Sequence, residues 1–177
     1  MRSSSWVFIA AAALAACTSS PDPQRITAAT TALASETSDA APPIVYNTQM
    51  RSDIEVPACV SDSKGHAQIK IFQDGTIESQ VIIENKSDES IRFWHIHHLA
   101  AGAATGPIIW WLTTPVGKNL LLTDRHIDMR QAGVFVPNPD FASADAALTA
   151  LLDDPGSFYV NFHSNHCPAG VARGFLP

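Results

Sequence analysis

Residues 68–83 read QIKIFQDGTIESQVII, in which two runs of alternating apolar and polar residues flank the pair Asp74-Gly75. Side chains of a β-strand point alternately to the two faces of a sheet, so each run offers one apolar face to a core. An Asp-Gly pair between two such runs is a strong signal for a tight hairpin turn. This stretch therefore predicts two antiparallel strands, at 68–72 and 76–83.

Short strands of the same kind are predicted along much of the chain that follows. They are expected at 91–97, 108–112, 157–163 and 171–176, with further candidates at 120–123 and 126–129. One short helix is expected near 143–153, because Ser143 can cap its first turn and Pro155-Gly156 can end it. Many short strands, with turn signals every eight to twelve residues or so, indicate an all-β antiparallel sandwich or barrel.

Residues 1–16 have the features of a bacterial lipoprotein signal peptide. Arg2 supplies the positive end, and the apolar stretch at 6–13 is too short for a membrane span, which needs about 20 residues. The segment Leu14-Ala15-Ala16-Cys17 resembles a lipobox, which implies cleavage before Cys17 and lipid attachment to it. Thr18 stands where an aspartate would favour the inner membrane, so the resemblance implies a cell-envelope protein anchored in the outer membrane. The alternative is a plain secretory signal with an incidental cysteine.

Residues 17–43, from the lipidated cysteine onward, are rich in Ser, Thr, Ala, Pro and Asp, with almost no large apolar side chains. Such a segment buries too little surface to offset its ordering entropy, so it predicts a disordered tether. The remaining residues, 44–177, have a length typical of one domain. The chain has 11 basic and 17 acidic residues, a formal charge of −6 and no basic cluster, which argues against nucleic acid as a partner.

Besides Cys17, the chain contains two cysteines, Cys59 and Cys167. A pair of cysteines in an oxidising compartment is usually a disulfide, so we expect a bridge between the start and the end of the domain. The alternative makes Cys167 a soft metal ligand beside His163 and His166.

Four of the seven histidines lie in two predicted strands, FWHIHH at 93–98 and YVNFH at 159–163. His95 and His97 project from the same face of their strand, about 6.6 Å apart along it, and two imidazoles at that spacing can bind one ion at about 2.0–2.1 Å each. If the second strand pairs nearby, His163 supplies a third nitrogen. Imidazole suits copper and zinc, and copper binds more tightly at a given site. Further ligands are expected among His98, His126 and His166.

A structural role for the histidines is the alternative, since a histidine on a strand is more often hydrogen-bonded than metal-bound. The domain would then be an interaction module that engages another envelope protein through its loops or through whichever of Trp110 and Trp111 faces outward. Asn161 and Tyr159 share the strand face of His163 and are expected to be hydrogen-bond partners of the ligands. Arg173 is expected to pair with a carboxylate or with a loop carbonyl inside the sandwich.

The chain lacks the common catalytic motifs, namely Gly-x-Ser-x-Gly, His-Glu-x-x-His, a phosphate-binding loop and an evident carboxylate pair. We therefore expect a protein that is not an enzyme. A dismutase-like redox activity at a copper site is the enzymatic alternative.

Three segments, in this order, resemble the CHRD family, the domain first described in chordin and common in bacterial secreted proteins. They are His95-Ile96-His97 with the loop ending at Gly106-Pro107, the YVNFH run, and Cys167-Pro168-Ala169-Gly170 leading to Arg173-Gly174. The resemblance covers about residues 65–176. It implies an immunoglobulin-like or superoxide-dismutase-like Greek-key sandwich, without an established activity.

The chain departs from the family pattern mainly by added histidines and by a pair of tryptophans. The departures are His98, His126, His166 and Trp110-Trp111. Extra histidines around the shared set favour metal binding in this member. The sequence therefore predicts a lipid-anchored CHRD-domain protein of the cell envelope that binds a transition metal.

Overall fold

The computed structural model describes residues 41–112 and 120–177, and for residues 120–126 it describes the backbone only. The predicted signal peptide at 1–16, the lipidation site Cys17 and the predicted tether up to residue 40 lie outside the described residues. The strands are β1 Ile44–Met50, β2 Lys64–Ile71, β3 Thr76–Glu84, β4 Ile91–His98, β5 Ile108–Trp111, β6 Leu120–Asp128, β7 Phe158–Ser164 and β8 Ala172–Phe175. One α-helix, α1, covers Ala144–Asp153, and two 3₁₀ turns lie at Ser52–Ile54 and Pro155–Ser157.

The eight strands form two four-stranded antiparallel sheets. The first sheet has the order β1-β2-β3-β6, and the second has the order β5-β4-β7-β8. Because β6 returns beside β3 and β7 returns beside β4, the chain crosses between the sheets as in a Greek key. The predicted all-β antiparallel Greek-key sandwich with one short helix is confirmed.

The hairpin that joins β2 and β3 in the first sheet forms as its sequence predicts. Gly75 adopts φ +81°, a conformation that glycine reaches without steric cost, and the side chain of Asp74 accepts the backbone N–H of Thr76 at 2.8 Å. Ile71 pairs with Ile77 across the turn, and both are buried in the core. The turn therefore sets the register that turns the apolar faces of β2 and β3 inward.

The helix also begins where its cap predicts. The Ser143 side chain accepts the backbone N–H of Ala146 at 3.2 Å, and the helix ends just before Pro155. Within the described ranges, no helix has the length and hydropathy needed to cross a membrane.

Two strand assignments differ from the sequence prediction. Strand β1 was not predicted, because it follows directly on Pro42-Pro43 and buries only alternate residues along an edge: Tyr46, Thr48 and Met50. The two candidates at 120–123 and 126–129 are a single strand, β6, whose backbone pairs with β3 through an irregular register. Pairing with a long neighbour thus extends a strand across a stretch that its own residues do not mark.

The core lies between the sheets and is filled by the inward residues of both. From β4 and β7 these include Trp94, Ile96, Val160 and Phe162, all fully buried. Trp110 is also fully buried and donates its indole N–H to the Met129 carbonyl at 3.1 Å. Because strand side chains alternate, the histidines between these core residues must lie on the outer face of the second sheet.

Candidate metal centre

The pairing of β4 with β7 brings three histidines together on that outer face. In this antiparallel register His95 lies opposite Asn161, His97 opposite Tyr159 and Phe93 opposite His163. The ring centroids of His95 and His163 are 4.6 Å apart, and those of His95 and His97 are 5.4 Å apart. One ring nitrogen from each of the three histidines lies within 4.8 Å of the other two.

These imidazoles are buried although they lie outside the sandwich core. The exposed fractions are 2% for His95, 7% for His97 and 8% for His163. Segments outside the strands supply contacts over this face: Gly106 reaches His97, and Pro168 reaches His163. The histidines therefore occupy an enclosed polar layer between the sheet and its connections.

Two backbone carbonyls orient two of the rings. The Nδ1 atom of His97 lies 2.9 Å from the Gly106 oxygen, and Nδ1 of His163 lies 3.0 Å from the Pro168 oxygen. A carbonyl only accepts hydrogen bonds, so each Nδ1 must carry the proton. In the neutral rings the lone pair is then on Nε2, which is the arrangement that metal-binding histidines use.

Gly106 can reach His97 because it has no side chain. A Cβ atom at this position would lie 1.5 Å from the carbonyl oxygen of His98. The loop therefore approaches β4 more closely than any other residue would permit. The N–H of Gly106 also donates to the Tyr159 hydroxyl at 3.2 Å, so one glycine holds residues of both histidine strands.

Several nitrogens of the cluster are buried without a hydrogen-bond partner. In the described part of the chain, five buried side-chain nitrogen or oxygen atoms lack a partner, and three of them are Nδ1 and Nε2 of His95 and Nε2 of His97. Roughly 90% or more of buried polar groups in proteins are hydrogen-bonded, and an unsatisfied one costs about 1–3 kcal/mol. Three orphaned nitrogens in one cluster therefore require an explanation.

Burial keeps the cluster uncharged. It lowers the pKa of His95 to about 3, with a smaller contribution from the neighbouring histidines. It lowers the pKa of His97 to about 4 in the same way, and it also lowers the pKa of His163. The rings are therefore neutral at neutral pH, which is the form that binds metal ions.

Two aromatic side chains contact the histidine rings directly, and an arginine packs on one of them. Tyr159 stacks on His97 with ring centroids 4.8 Å apart and ring planes inclined by 7°. The guanidinium of Arg173 lies 4.6 Å from the centre of the Tyr159 ring. Trp111 meets His95 edge-on at 4.1 Å.

Arg173 and Glu55 form a buried ion pair beside this layer. Nε of Arg173 donates to Oε1 of Glu55 at 2.7 Å, and Nη2 of Arg173 bonds to the same oxygen. Nη1 also donates to the carbonyl of Ala104 at 3.1 Å. The expectation that Arg173 pairs with a carboxylate or with a loop carbonyl is confirmed, and it does both. The expected place was wrong: Arg173 lies opposite Asn161 on the outer face of the second sheet and not inside the sandwich.

Two of the three proposed auxiliary histidines, His98 and His166, lie away from the cluster. His98 faces the other side of β4, where its Nδ1 lies 2.9 Å from a carboxylate oxygen of Asp140. His166 is exposed and lies beside the two cysteines. The side chain of His126 lies outside the described residues. The alternation of side chains along β4 and the turn after β7 thus separate His98 and His166 from the other three.

The two domain cysteines form the predicted disulfide. Cys59 and Cys167 are bonded, with Cα atoms 5.9 Å apart and a sequence separation of 108. This bond excludes the alternative in which Cys167 is a thiolate ligand, because a disulfide sulfur carries no thiolate. It also holds the turn that presents the Pro168 carbonyl to His163.

Several residues of the site were not predicted from sequence. Their contributions are the carbonyls of Gly106 and Pro168, the charge of Glu55 and the indole of Trp111. The two carbonyls belong to Gly106-Pro107 and Cys167-Pro168, which are part of the family pattern, so that pattern could have pointed to them. No local pattern marks Glu55, which lies 118 residues before its partner Arg173. Asn161 lies beside the cluster, with Oδ1 3.1 Å from Nε2 of His163; because Nδ1 of His163 carries the proton, a hydrogen bond here requires the amide NH2 in the place of Oδ1. Tyr159 contacts His97 by ring stacking, and its hydroxyl accepts the N–H of Gly106 and not a ligand imidazole.

The donor set fits a first-row transition metal. Nitrogens around a tetrahedral ion with bonds of about 2.0–2.1 Å lie about 3.3 Å apart, so small rotations would close the three rings onto one ion. Three imidazoles leave one position open for water or another ligand. Among the described residues, no carboxylate joins this group of ligand atoms.

Comparison with known proteins identifies the domain but not a characterised relative. The family model described as CHRD domain matches residues 46–176. No curated protein and no solved structure matches the chain.

Proposed function

Because this chain belongs to the CHRD domain family, which is not a known enzyme family, we propose its function from the site itself: the domain binds a transition-metal ion. The ligands are His95, His97 and His163. The metal is copper, with zinc as the second choice, since imidazole suits both and copper binds more tightly at a given site. A role in storing, delivering or sensing the ion follows from a site whose three protein ligands leave one position open for exchange.

The orphaned nitrogens of His95 and His97 carry this proposal. If the histidines were structural, their buried nitrogens would be expected to have hydrogen-bond partners, as Nδ1 of His97 and Nδ1 of His163 do. Instead, one nitrogen from each ring lies within 4.8 Å of the other two, and both His95 and His97 have nitrogens without partners. A bound cation would satisfy Nε2 of His97 and one nitrogen of His95 without any new protein group.

Titration of the purified protein with copper and zinc tests the proposal. We expect one ion per chain and loss of binding when the three ligands are replaced by alanine. His66→Ala and His98→Ala are matched controls, because His66 is exposed and His98 bonds to Asp140 on the other face. Stoichiometric binding that survives the triple replacement would refute the site, and so would the absence of binding to the unmodified protein.

We also propose that the protein is a lipoprotein of the cell envelope, anchored through Cys17 in the outer membrane. The lipobox-like residues 14–17 and the Thr18 that follows support this placement. Mass spectrometry of the mature N-terminus tests it, with Cys17→Ala as the control. An unmodified cysteine, or cleavage at another position, would contradict lipidation, and cell fractionation would decide between the two membranes.

A second candidate function is an interaction module. Apolar side chains are exposed along the segment that covers the site, with Val60 92% and Val56 39% exposed, and Phe175 of β8 is 36% exposed. Contiguous exposed apolar surface is typical of protein contact sites. This function predicts capture of an envelope protein that persists in the presence of a chelator and weakens with Val56→Ser. Dismutase-like activity is a third candidate and requires that the titration first show copper binding.

A further inference from the structure

The charges around the histidine cluster balance before any ion enters. Imidazole ligands are neutral when they bind a metal, so they bring no negative charge to it. Burial lowers the pKa of His163, and among the described residues Glu55 is the carboxylate whose charge opposes that lowering. However, this carboxylate is bonded to Arg173, which is 2% exposed, while Glu55 is 3% exposed.

The ion pair commits one oxygen of the carboxylate to Arg173. Both Nε and Nη2 of Arg173 bond to the same oxygen of Glu55, Oε1. The other oxygen, Oε2, is buried without a hydrogen-bond partner among the described residues and lies beside Gly170, where a Cβ atom would be only 2.6 Å from it. The carboxylate is therefore positioned beside the cluster without belonging to it, since the group of converging ligand atoms contains only the three histidines.

The positive charge of Arg173 lies next to Glu55, because the two side chains are bonded. Its guanidinium is 4.6 Å from the centre of the Tyr159 ring, and Tyr159 stacks on His97 at 4.8 Å. The charge of Arg173 also acts on His97, where it helps to lower the pKa. Arg173 thus brings a positive charge to the cluster that offsets the negative charge of Glu55.

A buried ion in this site must therefore carry its own charge without compensation from protein ligands. The cost of moving an ion from water into a medium of low polarity rises with the square of its charge, so a divalent ion costs about four times as much as a monovalent ion of the same size. The preference of a given site for copper over zinc concerns divalent ions, so it does not determine the oxidation state of the copper. Charge does separate Cu(I) from Cu(II) and Zn(II).

We infer that the site selects monovalent copper, and that a divalent ion binds well only when an anion fills its open position. This inference rests on the proposed metal-binding function and specifies its ligand. The ion pair Glu55–Arg173 is the device that sets the preference, because it keeps a nearby carboxylate from neutralising a second positive charge.

Comparison of four ions on the unmodified protein tests the preference. Cu(I) under anaerobic, reducing conditions and the redox-inert Ag(I) are the monovalent probes, and Cu(II) and Zn(II) are the divalent probes, each measured by competition with a chelator in buffer free of coordinating anions. We expect the monovalent ions to bind about 100-fold tighter than Zn(II) or more, the scale of an uncompensated charge in a buried site. Added fluoride, whose silver salt is soluble, should strengthen Zn(II) and Cu(II) binding and leave Ag(I) binding unchanged.

Two variants of the ion pair should shift the Ag(I)-to-Zn(II) affinity ratio in opposite directions. Arg173→Gln leaves the carboxylate charge unbalanced and should favour Zn(II), whereas Glu55→Gln leaves the guanidinium unbalanced and should disfavour Zn(II) further. Simple loss of structure would weaken both ions in both variants. Arg92→Gln, which removes an exposed charge near Phe93, is the control and should leave the ratio unchanged.

The outcomes separate this inference from the proposed function. Zn(II) or Cu(II) binding as tightly as Ag(I) without added anion would overturn the preference and leave the metal site standing. A shift of the ratio in the same direction in both variants would also overturn it. Binding of none of the four ions would refute the metal site itself. If the variants do not fold, the comparison of ions on the unmodified protein decides.

Discussion

The indole of Trp111 meets the imidazole of His95 edge-on, with ring centroids 4.1 Å apart and ring planes at 88°. The two residues are direct neighbours in the pairing of β4 with β5. Neither ring nitrogen of His95 has a hydrogen-bond partner of normal distance and angle among the described residues, although the nearby Asn161 amide opposes the lowering of its pKa. Ring contacts therefore hold His95 in place. Trp111 is only partly buried, so it also connects the enclosed cluster with the surface.

Trp111 should therefore report metal binding through its fluorescence. A cation bound by His95 places a positive charge next to the indole, and the intensity or wavelength of its emission should change. Titration with Ag(I) or Cu(I), followed by tryptophan emission, checks this. Trp111→Phe should lose most of the change and keep the binding measured by calorimetry. A full signal in this variant would mean that the ion lies elsewhere, near Trp94 or Trp110.

The stability of the metal-free protein should fall as the pH decreases below about 6.5. Burial lowers the folded-state pKa of His95 to about 3 and of His97 to about 4, from an ordinary value near 6.5. Above pH 6.5 these histidines are neutral in both the folded and the unfolded protein, so they do not lower its stability. Between pH 6.5 and 4 the unfolded chain binds protons that the folded chain excludes. Each excluded proton lowers the free energy of unfolding by about 1.4 kcal/mol per pH unit.

Chemical denaturation at several pH values between 7 and 4 measures this slope. His95→Leu should show a smaller slope than the unmodified protein because it removes one of the excluded protons. His66→Gln is the control and should keep the slope, since His66 is exposed. Equal slopes in all three proteins would show that the cluster is protonated without penalty.

Gly106→Ala should weaken metal binding more than it weakens the fold elsewhere. The new methyl group would meet the His98 carbonyl at 1.5 Å, so the loop must move away and release Nδ1 of His97 from the Gly106 oxygen. Loss of such a ligand-orienting bond typically costs about 10- to 100-fold in metal affinity. Chelator competition measures the affinity.

Gly156→Ala is the matched control for that substitution. A methyl group there would meet nothing closer than 3.7 Å. Gly156 lies in the 3₁₀ turn Pro155–Ser157 that follows α1. Its metal affinity should equal that of the unmodified protein. Similar affinities for the two variants would contradict the role of the Gly106 carbonyl.

Removal of the disulfide should destabilise the domain and disturb the site together. Cys59 and Cys167 are separated by 108 positions in sequence, and a bridge that closes a loop of this length stabilises by about 4–5 kcal/mol in the chain-entropy model. The double variant with serine at both positions should lose about that much unfolding free energy. It should also bind metal more weakly, because Pro168 follows Cys167 and orients His163.

Cys17→Ser leaves this bridge intact and is the control. An unchanged metal affinity in the double variant would show that the turn holds Pro168 in place without the disulfide.

Local patterns predicted most of the fold. The Asp74-Gly75 turn, the alternation along β3 and β4 and the Ser143 cap each act through neighbours in sequence, so their outcome follows from short-range sterics and hydrogen bonds. The edge strand β1 was not predicted, because an edge strand requires only one partner and a few buried residues. The continuous strand β6 was predicted as two separate pieces, because its continuity comes from pairing with β3.

The sequence by itself determined that His95 and His97 share one face and that His98 faces the other, because side chains alternate along a strand. It also marked Cys59 and Cys167 as a pair by their number and compartment. Only the tertiary structure decided that β7 brings His163 to that face, that the face is the outer one, and that Gly106, Pro168 and Glu55 close over it. These relationships join residues far apart in the chain, and they depend on which strands pair and which loops cover them. For this reason, three histidines visible in the sequence become one buried, neutral and unsatisfied cluster only in the folded domain.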